Sequence, residues 1–229
     1  IVVDTLRADR LSLYGNSRVT SSHLDAWATS HGIVFERVMA AAPLTLPAHV
    51  SIFSGLDAHR HGVNHDGRVP ESIPLLAPLL QQAGYSTVAV TGGGYLHPRF
   101  GLDRGFDQFH YWSEDAVDPP VTELESNVDL ALDLIDTFDQ GPFFLFFHTY
   151  EVHDPYLPRS PFFEELYGDA PPPIVSLDHH REHGPAQGFV DQRRLGILQT
   201  GHPGSWSPLP PDMAQIPFDL YDSSIAFTD

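Results

Sequence analysis

The run Phe143-Phe144-Leu145-Phe146-Phe147 constrains the fold of this chain more than any other feature. A strand built from consecutive large apolar residues has no polar face to turn to water, so both of its faces must be covered. The run is far shorter than the roughly 18 residues of a membrane-spanning helix, and no other apolar stretch approaches that length. Ile1-Val2-Val3, ending in Asp4, reads as a second buried strand, and Ser86 to Thr91, ending in Gly92-Gly93-Gly94, as a third. Ile33-Val34-Phe35 is strand-like. Helical segments separate these strands: Ser22 to Ser30, Pro47 to Ser54 with proline near its first turn, and Pro74 to Ala83 stopped by Gly84. Thr122 to Glu125 has capping-box spacing, after which Leu124, Val128, Ala131, Leu132 and Ile135 recur at helical intervals. Phe218 to Asp229 resumes a helical pattern. Buried strands alternating with helices predict an α/β fold, a mostly parallel central sheet with helices on both faces.

Charge narrows the partners. The 229 residues carry 30 acidic and 12 basic side chains, a formal charge of −18, and every basic residue is arginine. A nucleic-acid backbone needs a basic surface, so no nucleic-acid-binding surface is expected. An anionic substrate would be repelled at long range unless a metal or clustered arginines reverse the local field. There is no cysteine, which removes disulfides, thiolate metal sites and a cysteine nucleophile together.

The chain opens inside an apolar run without methionine and stops within a helical pattern, so the expectation is a segment cut at both ends, residues 1–229 forming the N-terminal portion of one catalytic domain. Residues 168–217, rich in proline, glycine, histidine and charge, read as a loop-rich insertion within it. Localisation is left undetermined, with periplasmic or secreted settings both compatible.

Two segments carry chemistry. Asp4-Thr5-Leu6-Arg7-Ala8-Asp9 sets carboxylates just beyond a buried strand, where ligands collect in open α/β sheets. A helix cap and a hard-metal ligand are both readings of that hexapeptide. In Thr45-Leu46-Pro47-Ala48-His49 a hydroxyl stands at a helix start, facing free backbone N–H groups and the positive end of the helix dipole. His49, one turn on, can reach the same anion; the alternative is an N-capping threonine with an exposed histidine. Asp178-His179-His180-Arg181-Glu182-His183 lacks the spacing of a helical zinc site and reads as a solvated loop.

These segments stand in a wider pattern. Asp4 through Leu11 with Tyr14-Gly15 resembles the opening metal-binding strand of the sulfatase family, within the alkaline phosphatase superfamily. Thr45-Leu46-Pro47-Ala48-His49, continuing through Ser54-Gly55-Leu56 to His61-Gly62-Val63, resembles its nucleophile segment. Arg104-Gly105-Phe106-Asp107 and His153-Asp154-Pro155-Tyr156 are similar to two further landmarks, and Tyr221-Asp222 with Ile225 and Asp229 looks like the helix before the second metal-binding strand. The resemblance implies an alkaline-phosphatase-like fold with divalent metal at the sheet's carboxyl edge. It implies Asp4 as metal ligand, Thr45 as nucleophile and ligand, and His153 as a substrate-binding histidine. It sets His49 where an arginine commonly steadies the nucleophile, and His97 near a loosely aligned lysine–histidine segment.

Several positions depart from the pattern. Typical members convert cysteine or serine to formylglycine; oxidising the carbinol carbon of threonine would give a ketone, so no formylglycine is expected. Thr45 must act as an alkoxide activated by metal. Thr5 replaces a frequent second aspartate, and Asp66 falls where many members carry asparagine. The metal implied is divalent, Ca²⁺ first, with Mg²⁺, Mn²⁺ or Zn²⁺ as the other choices. The predicted function is metal-dependent hydrolysis of small-molecule or glycan sulfate or phosphate esters. The alternatives are phosphodiester or phosphonate monoester hydrolysis, and a non-catalytic relative keeping the fold.

Overall fold

The computed structural model describes residues 1–112, 123–138, 141–153, 159–167 and 216–229. In chain order the elements are β1 (Val2–Val3), α1 (Ser22–His31), α2 (Thr45–Ser54), α3 (Ala58–His61), α4 (Leu76–Gln82), β2 (Ser86–Thr91), β3 (Gln108–Tyr111), α5 (Glu123–Asp136), β4 (Phe143–Thr149), α6 (Phe162–Tyr167) and α7 (Ile216–Thr228), with short 3-10 turns between them. They fall into two compact units, one of Ile1–Asp4 with Arg37–Tyr150 and one of Thr5–Glu36 with Glu151–Asp229.

The first unit holds the whole sheet. Its order is β1-β4-β2-β3, and every pairing is parallel. The apolar strand β4 lies inside, flanked by β1 and β2; Phe146 and Phe147 are buried as expected, but Phe143 at its start is 44% exposed, so the run is not covered along its whole length. On α2, Leu46, Val50 and Phe53 recur at helical spacing and are buried with Ala89 of β2 and Phe146 of β4 in one cluster. Phe53 meets Phe146 edge-on at 4.8 Å, a geometry worth about 0.5–1.5 kcal/mol beyond area burial. This packing seats the N-terminal end of α2.

The Arg104–Asp107 landmark is a structural knot within this unit. Asp107 accepts hydrogen bonds from the Thr87 amide at 2.8 Å and from the Gln81 side chain at 2.6 Å. Arg104 donates to Pro70 O at 3.2 Å and also reaches Ile73 O and Glu71. Gly105 has φ +85°, and a Cβ there would stand 2.3 Å from the Pro78 ring. Only glycine fits.

In the second unit α7 buries two carboxylates. Asp222, with no exposed side-chain surface, takes a bidentate pair from Arg10 and a further contact from Arg18, which also reaches Asp219. The Asp229 carboxylate accepts from the backbone N–H groups of His23 and Leu24, each at 2.8 Å, satisfying orphan donors in the first turn of α1. Thr5, the only non-glycine residue with positive φ (58°) among the described residues, is held by Tyr221 Oη donating to its carbonyl at 2.7 Å and by its own hydroxyl donating to Val152 O at 2.9 Å.

Three expectations change. Ile33-Val34-Phe35 forms no strand: Ile33 is 84% and Phe35 66% exposed, and no ladder partner lies beside them among the described residues. The helix at Thr45 begins at that residue and not at Pro47, because Leu44 holds the extended N-cap conformation and Pro47, third in the helix, lacks only an N–H that would have been unpaired. β3 was not anticipated; four residues alternating polar and aromatic at a sheet edge give a weak signal. Thr122, the 168–215 stretch and the Asp178–His183 cluster lie outside the described residues.

Two outcomes follow. Asp222→Ala leaves Arg10 facing a vacated buried site and is expected to cost about 3–5 kcal/mol, read as a lowered urea midpoint. The Thr87 amide, then Gln81, hold Asp107 below the usual carboxylate range. The unfolded chain therefore takes up a proton first as pH falls. The stabilisation is complete above about pH 4 and is lost as pH drops through the folded value. Thermal melts across pH 5 to 2 should show a decline that Asp107→Asn flattens.

Candidate active site

The register of β1 on β4 builds one half of the site. Val2 lies opposite His148 and Val3 opposite Thr149, and the Asp4 amide donates to Thr149 O at 3.0 Å. This register brings the Asp4 carboxylate, 10% exposed, to 3.3 Å from His148 Nε2. A carboxylate only accepts, so Nε2 carries the proton. His148 is wholly buried, its ring edge-on to His49 at 5.1 Å and to Tyr150 at 4.7 Å.

The other half is the first turn of α2. Thr45 is partly buried at the helix's positive end. The Tyr150 hydroxyl lies close enough to Thr45 and to the Tyr95 backbone for both to act on it electrostatically. Burial first, then the Asp4 charge, push that phenol well above its ordinary value, so it stays protonated. His49 Nδ1–H donates to the Thr45 carbonyl at 2.8 Å, and its ring packs on Phe146 and His148. Burial first, then neighbouring His148, push His49 down to about 4, so it is neutral at pH 7. Its Nε2 is left as a buried lone pair with no hydrogen-bond partner among the described residues, as is His148 Nδ1.

The first unit thus brings together Asp4, Thr45 and His49 of the residues singled out in the sequence, and adds His148 and Tyr150. Those two were missed because they extend an apolar strand and its exit; the available signal was that His148 keeps the two-residue phase of Phe144 and Phe146. His49 lies on the buried side of α2 rather than standing out from it. His153 is in the second unit, partly buried. His97 caps a short turn through Arg99 N at 2.9 Å, and Asp66 is exposed beside His65.

Asp4 and Thr45 offer oxygen donors of the kind hard cations take, and the Asp4 side chain is only 10% exposed. Among the described residues no group of three or more His, Asp or Glu side chains could hold a metal. The donor set fits part of a divalent site, with further ligands required.

The Sulfatase family model matches residues 1–191. The chain is 28% identical over 140 residues to the Delta 4,5-hexuronate-2-O-sulfatase of Bacteroides thetaiotaomicron, an alignment covering 58% of this chain and 27% of that protein. The fold is that of the phosphonate monoester hydrolase of Agrobacterium radiobacter, with TM-score 0.69, 17% identity, and 99% of this chain against 55% of that one. It is also that of the C-terminal periplasmic domain of EcEptC from Escherichia coli in complex with Zn, with TM-score 0.56, 17% identity, and 96% against 52%. The chain spans about a quarter of the length of its curated relative and about half of each structure. With a parallel α/β sheet and the Sulfatase family model matched across residues 1–191, this chain belongs to the sulfatase family.

Proposed function

We propose that the protein carrying this chain hydrolyses sulfate or phosphate esters with Thr45 as nucleophile and a divalent cation held in part by Asp4 and Thr45. The observation that carries the reading is the position of Thr45: it opens α2, its carbonyl bonded to His49, whose ring packs on the His148 that reaches Asp4. The cation, when bound, lowers the pKa of the hydroxyl and offsets charge gathering on the ester's oxygens. Ca²⁺ is the first choice for oxygen donors, with Mg²⁺, Mn²⁺ and, given the Zn complex of a structural neighbour, Zn²⁺ as the others.

The chain's own residues supply orientation. The Thr45 and Leu46 amides are the ones left for an incoming tetrahedral anion, since Pro47 has no N–H and the Ala48 amide donates to Leu44 O at 3.1 Å. His49 anchors the Thr45 carbonyl and so holds that turn. In-line attack by Thr45 Oγ1 forms the O–P or O–S bond as the alcohol leaves, and the covalent threonyl ester is then cleaved by water. His153 is proposed to contact substrate.

The threonine orders the two substrate classes. A formylglycine hydrate expels sulfate by collapse of a hemiacetal; a sulfo-threonine has no such exit and must be attacked again at sulfur. Phosphate esters or diesters should therefore turn over at least as well as sulfate esters. Phosphonate monoester hydrolysis is a second reading, favoured by the likeness to the Agrobacterium enzyme. Substrates are small-molecule or glycan esters, the curated relative being a hexuronate sulfatase.

Paired assays of aryl sulfate, aryl phosphate and a phosphodiester test the mechanism. Thr45→Ala should lower kcat at least about a thousandfold, and Thr45→Ser should keep activity within about tenfold; activity surviving in the alanine variant would refute it. His148→Phe removes the donor that fixes Asp4 and should weaken metal binding by about 10–100-fold in calorimetry, with partial recovery in His148→Gln. Unchanged metal affinity beside a lowered Tm would show that His148 serves packing alone.

A further inference from the structure

Beside the head of α2 the first unit carries an open groove of about 820 Å³, lined by Leu44 and Pro47, which flank Thr45 in sequence, and extending to Arg68. A second hollow of about 310 Å³ shares Asp66, Gly67 and Arg68 with it and adds Tyr95, Arg99 and Phe100. The two guanidinium groups in these walls are set in place. Arg68 Nη1 donates to the Arg99 carbonyl at 2.8 Å, and the Arg99 guanidinium lies over the Phe100 ring at 4.6 Å.

The charge pattern is what singles out this surface. Acidic side chains outnumber basic ones 30 to 12, so carboxylate partners are plentiful. Arg104 in this unit meets Glu71, yet Arg37, Arg60, Arg68 and Arg99 have no carboxylate within 4 Å among the described residues, and two of the four share the groove walls. The one carboxylate lining both hollows, Asp66, is 3.0 Å from His65 Nε2. Fixed, unpaired guanidinium groups in an acidic protein create a local field opposite to that of the surrounding surface, and their planar forks match the oxygens of carboxylate, sulfate or phosphate.

We propose that Arg68 and Arg99 form a subsite for a second anionic group of the substrate, separate from the ester that Thr45 attacks. The substrate class is then a polyanionic ester, such as a glycan carrying a further sulfate, phosphate or carboxylate beside the scissile group. This rests on the reading of Thr45 as nucleophile only for its catalytic consequence; the groove binds the second anion whether or not the ester is cleaved.

The test compares 4-nitrophenyl phosphate with a ring-sulfonated 4-nitrophenyl phosphate, in the wild type and in an Arg68→Gln/Arg99→Gln double variant. The wild type is expected to prefer the sulfonated ester, and the ratio of the two kcat/KM values should fall at least about tenfold in the variant, as loss of charge-assisted bonds requires. Arg68→Lys with Arg99→Lys should keep part of the preference, since charge remains without the fork. A ratio unchanged by the double variant, or rates falling equally for both esters, overturns the proposal. A calorimetric arm uses benzene-1,3-disulfonate against benzenesulfonate, neither of which can be hydrolysed. If neither phosphate ester turns over but the disulfonate binds at least about tenfold more weakly to the double variant, the subsite stands and the nucleophile reading falls. Equal disulfonate binding by both proteins removes the subsite.

Discussion

Two residues of β1 pair in parallel with β4, and the geometry of the site depends on that pairing. A ladder this short is marginal by itself, but β4 is held on its other edge along six residues of β2, so the register is imposed from outside. Because the side-chain period of a strand is two, a slip of β1 by one residue would turn the β1 side chains to the opposite face and carry Asp4 away from His148. The helix half of the site is set by a different force, the burial of Leu46, Val50 and Phe53 against the same strands. Hydrogen-bonded register places the carboxylate and apolar burial places the hydroxyl.

The electrostatic character of the resulting pocket is uneven. Asp4 carries the fixed charge, while His49 is kept neutral by burial and Tyr150 is kept protonated. Both imidazoles have their tautomers set by an oxygen acceptor, a carbonyl for His49 and a carboxylate for His148. A carboxylate that is only 10% exposed is poorly solvated, and a bound cation would offset its charge.

Much of this was legible from residues alone, and what was legible had local causes. β2 was read from Ser86 to Thr91 with the bounds it has, because β-branched residues run between Tyr85 and a glycine cluster. Thr45 was singled out at a helix start, which is where it lies, because a hydroxyl, a proline and a turn of apolar residues are a local signal. Ile33-Val34-Phe35 misled because apolar β-branched composition records preference, not the presence of a neighbouring strand. His148 escaped notice because its role depends on a residue 144 positions away. The same holds for the Arg10–Asp222 pair, separated by 212 positions. Chemistry that a short peptide can carry was visible; chemistry assembled by register was not.

The space around Gly105 bears on how chains of this kind diverge. With the Pro78 ring 2.3 Å from where a Cβ would sit, and a positive φ as well, position 105 has no neutral substitution available to it. The constraint comes from the approach of α4 to the loop before β3 and owes nothing to Thr45 or Asp4. A chain carrying a different residue at position 45 would still be obliged to keep that glycine in order to fold. Position 105 is therefore held by architecture alone, independently of whatever chemistry the head of α2 carries.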